Sequence, residues 1–270
     1  MAVLAGITGG PALLRNRGHE GSWMPLAPEG GRLAPSAWCT GLALIAALQC
    51  APATELQGTV DWLCDSRGIE SHWLWRWKFK IADRRVDFDP DRFGWNWIPD
   101  TVSWVIPTAI AIVALRLAQT KGWTNPALED RISLGAAMMI DRACPGGGWN
   151  AGNAKVYGVP LDPHIDATAI ALLGLRAARK DIGLPVDRGF QQLIERTKQC
   201  PGIESLAWTI LALHAWRREQ NLSRELADRG RQLSGLLSDP EGIGNNSILA
   251  IGAIALGVLQ LERNPFEVRA

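Results

Sequence analysis

Residues 145–175 read PGGGWNAGNAKVYGVPLDPHIDATAIALLGL. Three glycines run into a Trp, a polar loop follows, and Asp162-Pro163-His164-Ile165-Asp166 leads into an Ala/Leu/Ile run. The same order of Gly-rich turn, polar or Pro-containing entry and apolar helix recurs in four other places. These are GSWMPLAPEGGRLAPSAWCTGLALIAAL (21–48), FGWNWIPDTVSWVIPTAIAIVAL (93–115), CPGIESLAWTILALHAW (200–216) and PEGIGNNSILAIGAIALGVL (240–259). The first two of these align with 145–175 on Thr40, Thr108 and Thr168; the last two are degenerate copies. Self-similarity of this kind identifies a repeat architecture before any single element is assigned.

The apolar stretches, at about 36–49, 103–118, 164–178, 204–217 and 246–261, are hydrophobic almost all round, which requires helices buried on most sides. Amphipathic stretches at 54–66, 126–142, 185–198 and 222–237 alternate with them. In LPVDRGFQQLIERTKQ, for instance, Val186, Phe190, Leu193, Ile194 and Thr197 share one face. Alternating buried and half-exposed helices predict two layers, an inner row covered by an outer one. Because the repeats run head to tail, every inner helix points the same way. The turns and inner-helix N-termini then gather on one rim, and Trp23, Trp95, Trp97, Trp149, His164, Asp166 and Glu204 are expected around a common mouth. One segment departs from this pattern. In HWLWRWKFKIADRRVDFDPDRFGW, Trp73, Trp75, Trp77, Phe79 and Ile81 alternate with Leu74, Arg76, Lys78 and Lys80, a period of two that predicts a β-hairpin near 72–89. Its aromatic face would pack on the helices or meet a membrane interface.

Composition restricts the function classes. A chain of 270 residues with 47% hydrophobic content can bury a large core, and it reads as one repeat domain over 1–270. A net charge of +1 supplies no basic field for a nucleic-acid partner. Five widely spaced Cys (39, 50, 64, 144 and 200), with no C-x-x-C pair, argue against a disulfide framework or zinc ribbon and suit a reducing compartment. The N-terminal stretch is too short and Gly-broken for a signal peptide, and no apolar run reaches the roughly 18–20 residues of a spanning helix. The expectation is a cytoplasmic protein, either free or peripheral to the inner face of a membrane. Of 19 aromatic residues 13 are Trp, which supplies large apolar surfaces and electron-rich faces for a core or for an apolar or cationic ligand.

The G-x-W turns (Gly21-Ser22-Trp23 and Gly147-Gly148-Trp149) and the helix starts PTAIAIVAL and DATAIALLGL resemble the repeats of the squalene–hopene cyclase and protein prenyltransferase superfamily. GWNWIPDTVSWVIPTA is similar to small stand-alone bacterial members of that group. The resemblance covers essentially the whole chain and implies an all-α fold, an α/α toroid of inner and outer helix pairs. Five pairs are counted where a complete toroid has six, so the ring is open, narrower, or completed by a partner such as a second copy of the chain. The Gln that precedes G-x-W in cyclase repeats is missing here.

The resemblance implies an isoprenoid metabolism function, with a polyprenyl or triterpene-like lipid held in a central cavity. Class II terpene cyclases protonate an alkene with the middle Asp of an Asp-x-Asp-Asp-Thr-Ala motif. That chemistry requires a dry, protonated carboxyl and aromatic faces that stabilise carbocations. Aligned on Thr168-Ala169, the acid falls on Asp166, while His164 and Ala167 stand where the flanking acids would be. Trp23, Trp95, Trp97, Trp104, Trp149, His164 and Trp208 are the expected substrate-binding residues. The competing reading is a non-catalytic lipid-binding or protein-interaction toroid. Asp162 reads as an N-cap, with Pro163 at the first helical position. Asp87, Asp89 and Asp91 read as a solvated turn, and His214 as a core histidine. A prenyltransferase-type zinc site lacks its Cys and His partners, so neither metal nor cofactor is expected.

Overall fold

Each apolar stretch folds as one helix and each amphipathic stretch as another. The computed structural model describes residues 10–25, 34–50, 55–81, 87–179, 183–199, 202–238 and 246–268. The apolar set forms α2 (Ala37–Ala47), α5 (Val105–Thr120), α7 (Ile165–Ala177), α9 (Ile203–Trp216) and α11 (Asn246–Leu261). The amphipathic set forms α3 (Gln57–Asp65), α6 (Leu128–Asp141), α8 (Leu184–Arg196) and α10 (Ser223–Leu237); α1 (Gly10–Arg15) precedes them as a short first outer helix, and α4 spans Trp73–Ile81. The protein is therefore mostly helical, with a single two-stranded antiparallel ribbon among the described residues, β1 (Lys155–Val156) paired with β2 (Val159–Pro160).

The apolar helices form a row in which α2 packs on α5, α5 on α7, α7 on α9 and α9 on α11. Their sides are buried, with Leu44, Ile110, Ile112, Leu172 and Leu211 fully so or nearly so. Each such side chain contributes about 1.5–3 kcal/mol relative to exposure.

Side-chain bridges fix the direction of the row. Near the C-terminal ends, Arg116 Nε of α5 donates to the Ala177 carbonyl of α7 at 3.1 Å, and Lys121 reaches the Leu48 carbonyl beyond α2. Arg176 of α7 pairs with Glu219 beyond α9 at 2.8 Å. At the opposite end the Val105 N–H of α5 donates to Ala151, in the loop leading to α7, at 3.0 Å. The inner helices are thus parallel. The outer α6 runs the other way, with Glu129 of its first turn beside Arg116 and Asp141 of its last turn accepting the Asp89 N–H.

Three local expectations are corrected. First, residues 73–81 form helix α4, not a strand. Aromatic residues spaced by two also contain i, i+4 and i+8 series, so the same letters satisfy a helix. Trp75 and Phe79 share one helical face, and Phe79 stacks on Phe88 at 5.3 Å. The second strand of the expected hairpin is not formed at Asp87 and Phe88, and residues 82–86 lie outside the described residues.

Second, α7 starts at Ile165 with His164 as N-cap, two residues later than Asp162 and Pro163 predict. The Trp149 carbonyl takes the His164 N–H at 2.8 Å and holds the preceding residues extended. Asp162 instead accepts from Arg196 at 3.2 Å. Third, the polar loop before α7 carries the β1–β2 ribbon. It turns on Tyr157 and Gly158, both at positive φ.

Candidate functional site

Three threonines, Thr40, Thr108 and Thr168, occupy the fourth position of α2, α5 and α7, where their hydroxyls face the Trp of the preceding turn. Thr40, Thr108 and Thr168 Oγ1 each accept the backbone N–H of Trp23, Trp95 and Trp149 at 2.9 Å. Each hydroxyl also donates to the carbonyl of the same Trp, at 3.3, 3.3 and 3.1 Å. The indole N–H then points outward to the preceding outer helix: Trp23 to Leu13, Trp95 to Leu63 and Trp149 to Met139, at 3.0, 2.7 and 2.7 Å.

Each Trp–Thr clamp therefore ties the start of an inner helix to the outer helix before it. Glycine makes this approach possible. A Cβ on Gly94 would stand 2.2 Å from Thr108 Oγ1, and Gly147, at φ +97°, lies against the Arg188 backbone.

This geometry separates the expected mouth residues into two groups. Trp23, Trp95 and Trp149 are buried between the helix layers, with the ring edges of Trp95 and Trp149 against Gly135 of α6 and Gly189 of α8. Their place is architectural. With exposures of 5%, 0% and 0%, these three rings are packed into the core, and their indole N–H groups are taken by outer-helix carbonyls.

The remaining residues stay near the N-terminal rim. The second positions of α2, α5, α7 and α9 hold Trp38, Ile106, Asp166 and Glu204 in turn, and their N-cap positions hold Ser36, Trp104, His164 and Gly202. Trp38, Trp97, Trp104 and Asp166 are half-buried, whereas His164 and Glu204 are exposed. Trp104 lies against the loop before α7, in contact with Gly152. Asp166 has no hydrogen-bond or ion-pair partner among the described residues. Its place in the first turn of α7 is favourable for a carboxylate because the peptide dipoles converge there.

Trp38 is the residue that sequence reasoning missed. Its ring lies 5.5 Å from Trp97 and 6.1 Å from Trp208, and Trp208 meets Phe266 edge-on at 5.1 Å. A line of aromatic rings thus runs from the loop before α5 to the C-terminal segment. The available signal was register: counted from the shared threonines, Trp38 is the equivalent of Asp166.

The acidic residues before α5 are engaged individually. Asp91 is held by Lys80 and Arg76, whose hydrogen bonds and charges keep its carboxyl below the usual range. Asp89 pairs with Arg92 at 3.2 Å, and Asp87 with Lys155 at 3.2 Å. Asp87 and Asp89, with Phe88, Asp141 and Lys155, line an open cleft of about 490 Å³. Below it, buried Glu70 accepts the Ser103 N–H at 3.0 Å, and Arg142 lies 3.9 Å away over the Phe88 ring.

His214 is buried, 3.8 Å from Glu267 and 3.1 Å from Arg217, far along α9 from the rim. Burial pushes the Cys64 thiol up to about 11, outside the reactive range. Among the described residues no three His, Cys, Asp or Glu side chains converge as metal ligands. No protein-family model matches this chain, and no curated protein matches it at a significant level.

Proposed function

We propose that the inner helices curve into an α/α toroid whose N-terminal mouth binds an isoprenoid-like apolar chain between Trp38, Trp97 and Trp104, without protonating it. The observation carrying this reading is the Trp38–Trp208 contact at 6.1 Å. Helices α2 and α9 are the first and fourth members of a row whose neighbours pack about 8–10 Å apart. A flat row would hold them roughly 25–30 Å apart, so ring contact between them supports curvature of the row toward a shared centre.

The lining that results is aromatic and half-buried, suited to stacking on an unsaturated hydrocarbon. Asp166 is the one candidate acid of a class II cyclase at this rim. A protonating carboxyl needs hydrogen-bonded partners that hold its proton, and Asp166 has Ala167 and exposed His164 in the places those acids would take.

The test is to incubate the purified protein with squalene and with farnesol, then measure bound ligand and extracted products by mass spectrometry. Bound, unchanged ligand, reduced at least about tenfold by Trp38→Ala or Trp97→Ala, is the expected result. Cyclised product that disappears in Asp166→Asn would replace this reading with the cyclase. No bound ligand in the wild type would overturn both, and would favour a protein-interaction scaffold.

A further inference from the structure

Among the described helices of two turns or more, α4 alone has no buried residue. Its back face is half-covered. Trp75 packs on Phe79, Phe79 leans on Phe88, and Arg76 and Lys80 are tied to Asp91. Its front face is bare. Trp73, Leu74, Trp77 and Ile81 are 70%, 49%, 56% and 58% exposed. At helical spacing these four fall within an arc of about 100°, a continuous apolar stripe. Lys78 and Lys80 flank it on either side, and α4 contains no acid.

The position of α4 in the fold adds to this. The short 3-10 helix leading into it (Ile69–Ser71) is bonded to the loop before α5, with Ile69 N–H to Thr101 at 2.9 Å and Glu70 to Ser103. The strip that α4 packs on continues through the Asp87–Lys155 pair to the β1–β2 ribbon, where Tyr157 and Val159 are 73% and 62% exposed. Most of the large exposed hydrophobic side chains of the described chain thus lie on segments bordering the N-terminal rim.

We infer that α4, supported by the β1–β2 ribbon, is an interfacial anchor that lays this rim on a bilayer surface containing anionic phospholipid. Two Trp, Leu and Ile on one face with lysines at its edges match the physics of the membrane interface. Indoles settle at headgroup depth, aliphatic side chains enter the acyl boundary, and ammonium groups at the flanks reach the phosphates. No helix among the described residues is long and apolar enough to cross a membrane, so the contact is in the plane of the interface. This inference does not depend on what the mouth binds, and it would survive a failure of the lipid-chain reading.

The test is co-sedimentation of the full chain with vesicles of phosphatidylcholine alone and with 30% phosphatidylglycerol, a fraction of about one anionic lipid in three. Wild type is expected to bind the anionic vesicles and to lose affinity as salt is raised. Trp73→Ser/Trp77→Ser should bind at least about tenfold more weakly, and Lys78→Glu should bind more weakly on anionic vesicles only. Circular dichroism and melting temperature should be unchanged in these variants, since the side chains are exposed. Failure of wild type to bind either vesicle, or equal binding by the double variant, would overturn the inference. So would a wild-type dimer in gel filtration that the double variant converts to monomer, because the stripe would then be a contact between two copies of the chain.

Discussion

Thr168 Oγ1 sits 2.9 Å from the backbone nitrogen of Trp149 and 3.1 Å from its carbonyl oxygen, serving both groups of one residue with a single hydroxyl. The same pair of bonds joins Thr40 to Trp23 and Thr108 to Trp95. Repetition of a bond pair this specific explains why the three copies share a threonine whatever stands around it. The turn peptide is buried, and a peptide with unpaired N–H and C=O groups there is costly.

Thr168→Val keeps the side-chain shape and removes both bonds. It should destabilise the protein by about 1–3 kcal/mol, which in a chain of this length lowers the melting temperature by roughly 2–4 °C per kcal/mol. Thr168→Ser should retain most of the stability. Equal melting temperatures for Val and Thr would show that the clamp is incidental.

Glu70 and Arg142 are both buried, 3.9 Å apart, and join the 3-10 helix before α4 to the end of α6. Arg142→Met leaves the Glu70 charge buried beside Ser103 and should cost about 3–5 kcal/mol. Adding Glu70→Gln to Arg142→Met should recover part of that loss, because the stranded charge is removed while an oxygen remains for the Ser103 N–H. Denaturant unfolding of the two singles and the double gives the coupling energy directly. Strict additivity would mean the two groups do not interact.

The Asp141 carboxyl is raised above its ordinary value of 3.8, chiefly by burial, with the Asp89 N–H and the Arg142 guanidinium opposing. A raised acid binds its proton more tightly folded than unfolded. Its charged form therefore costs stability, and that cost appears as pH rises from 3.8 through the folded value. Asp141→Asn keeps an oxygen for the Asp89 N–H and removes the charge. Its melting temperature relative to wild type should climb between acidic and neutral pH. A gap between the two that stays constant with pH would contradict this.

Cysteine labelling tests the burial pattern independently. Cys50 is exposed, whereas Cys64 and Cys144 are buried, with burial pushing both thiols up, Cys64 to about 11. At pH about 8, well below the thiolate range of Cys64, a maleimide should modify Cys50 within minutes and leave Cys64 and Cys144 untouched until denaturant is added. Peptide mapping reads the sites, and early labelling of Cys64 would contradict the packing of α3 on α5.

Nine of the helix stretches, those of α2, α3 and α5 to α11, were legible because burial imposes its period on the letters. A helix enclosed on all sides is apolar throughout, and one at the surface is striped. The shared direction of the inner row was legible too, since repeats that run head to tail can only stack one way. Sequence alone also picked out the rim, through Thr40, Thr108 and Thr168. What it could not decide was where each indole points. Trp23, Trp95 and Trp149 look the same in sequence as Trp38 and Trp97, yet the first three turn into the interlayer space because an outer-helix carbonyl waits there for the indole N–H. That partner lies 10 to 32 residues away along the chain. The helix at 73–81 was undecidable for a related reason: an alternating pattern contains both periods, and only the presence of Phe88 and Asp91 against one helical face selects between them. Local periodicity is a property of the chain itself, whereas the direction of a side chain and the choice between two permitted periods are settled by what packs against them.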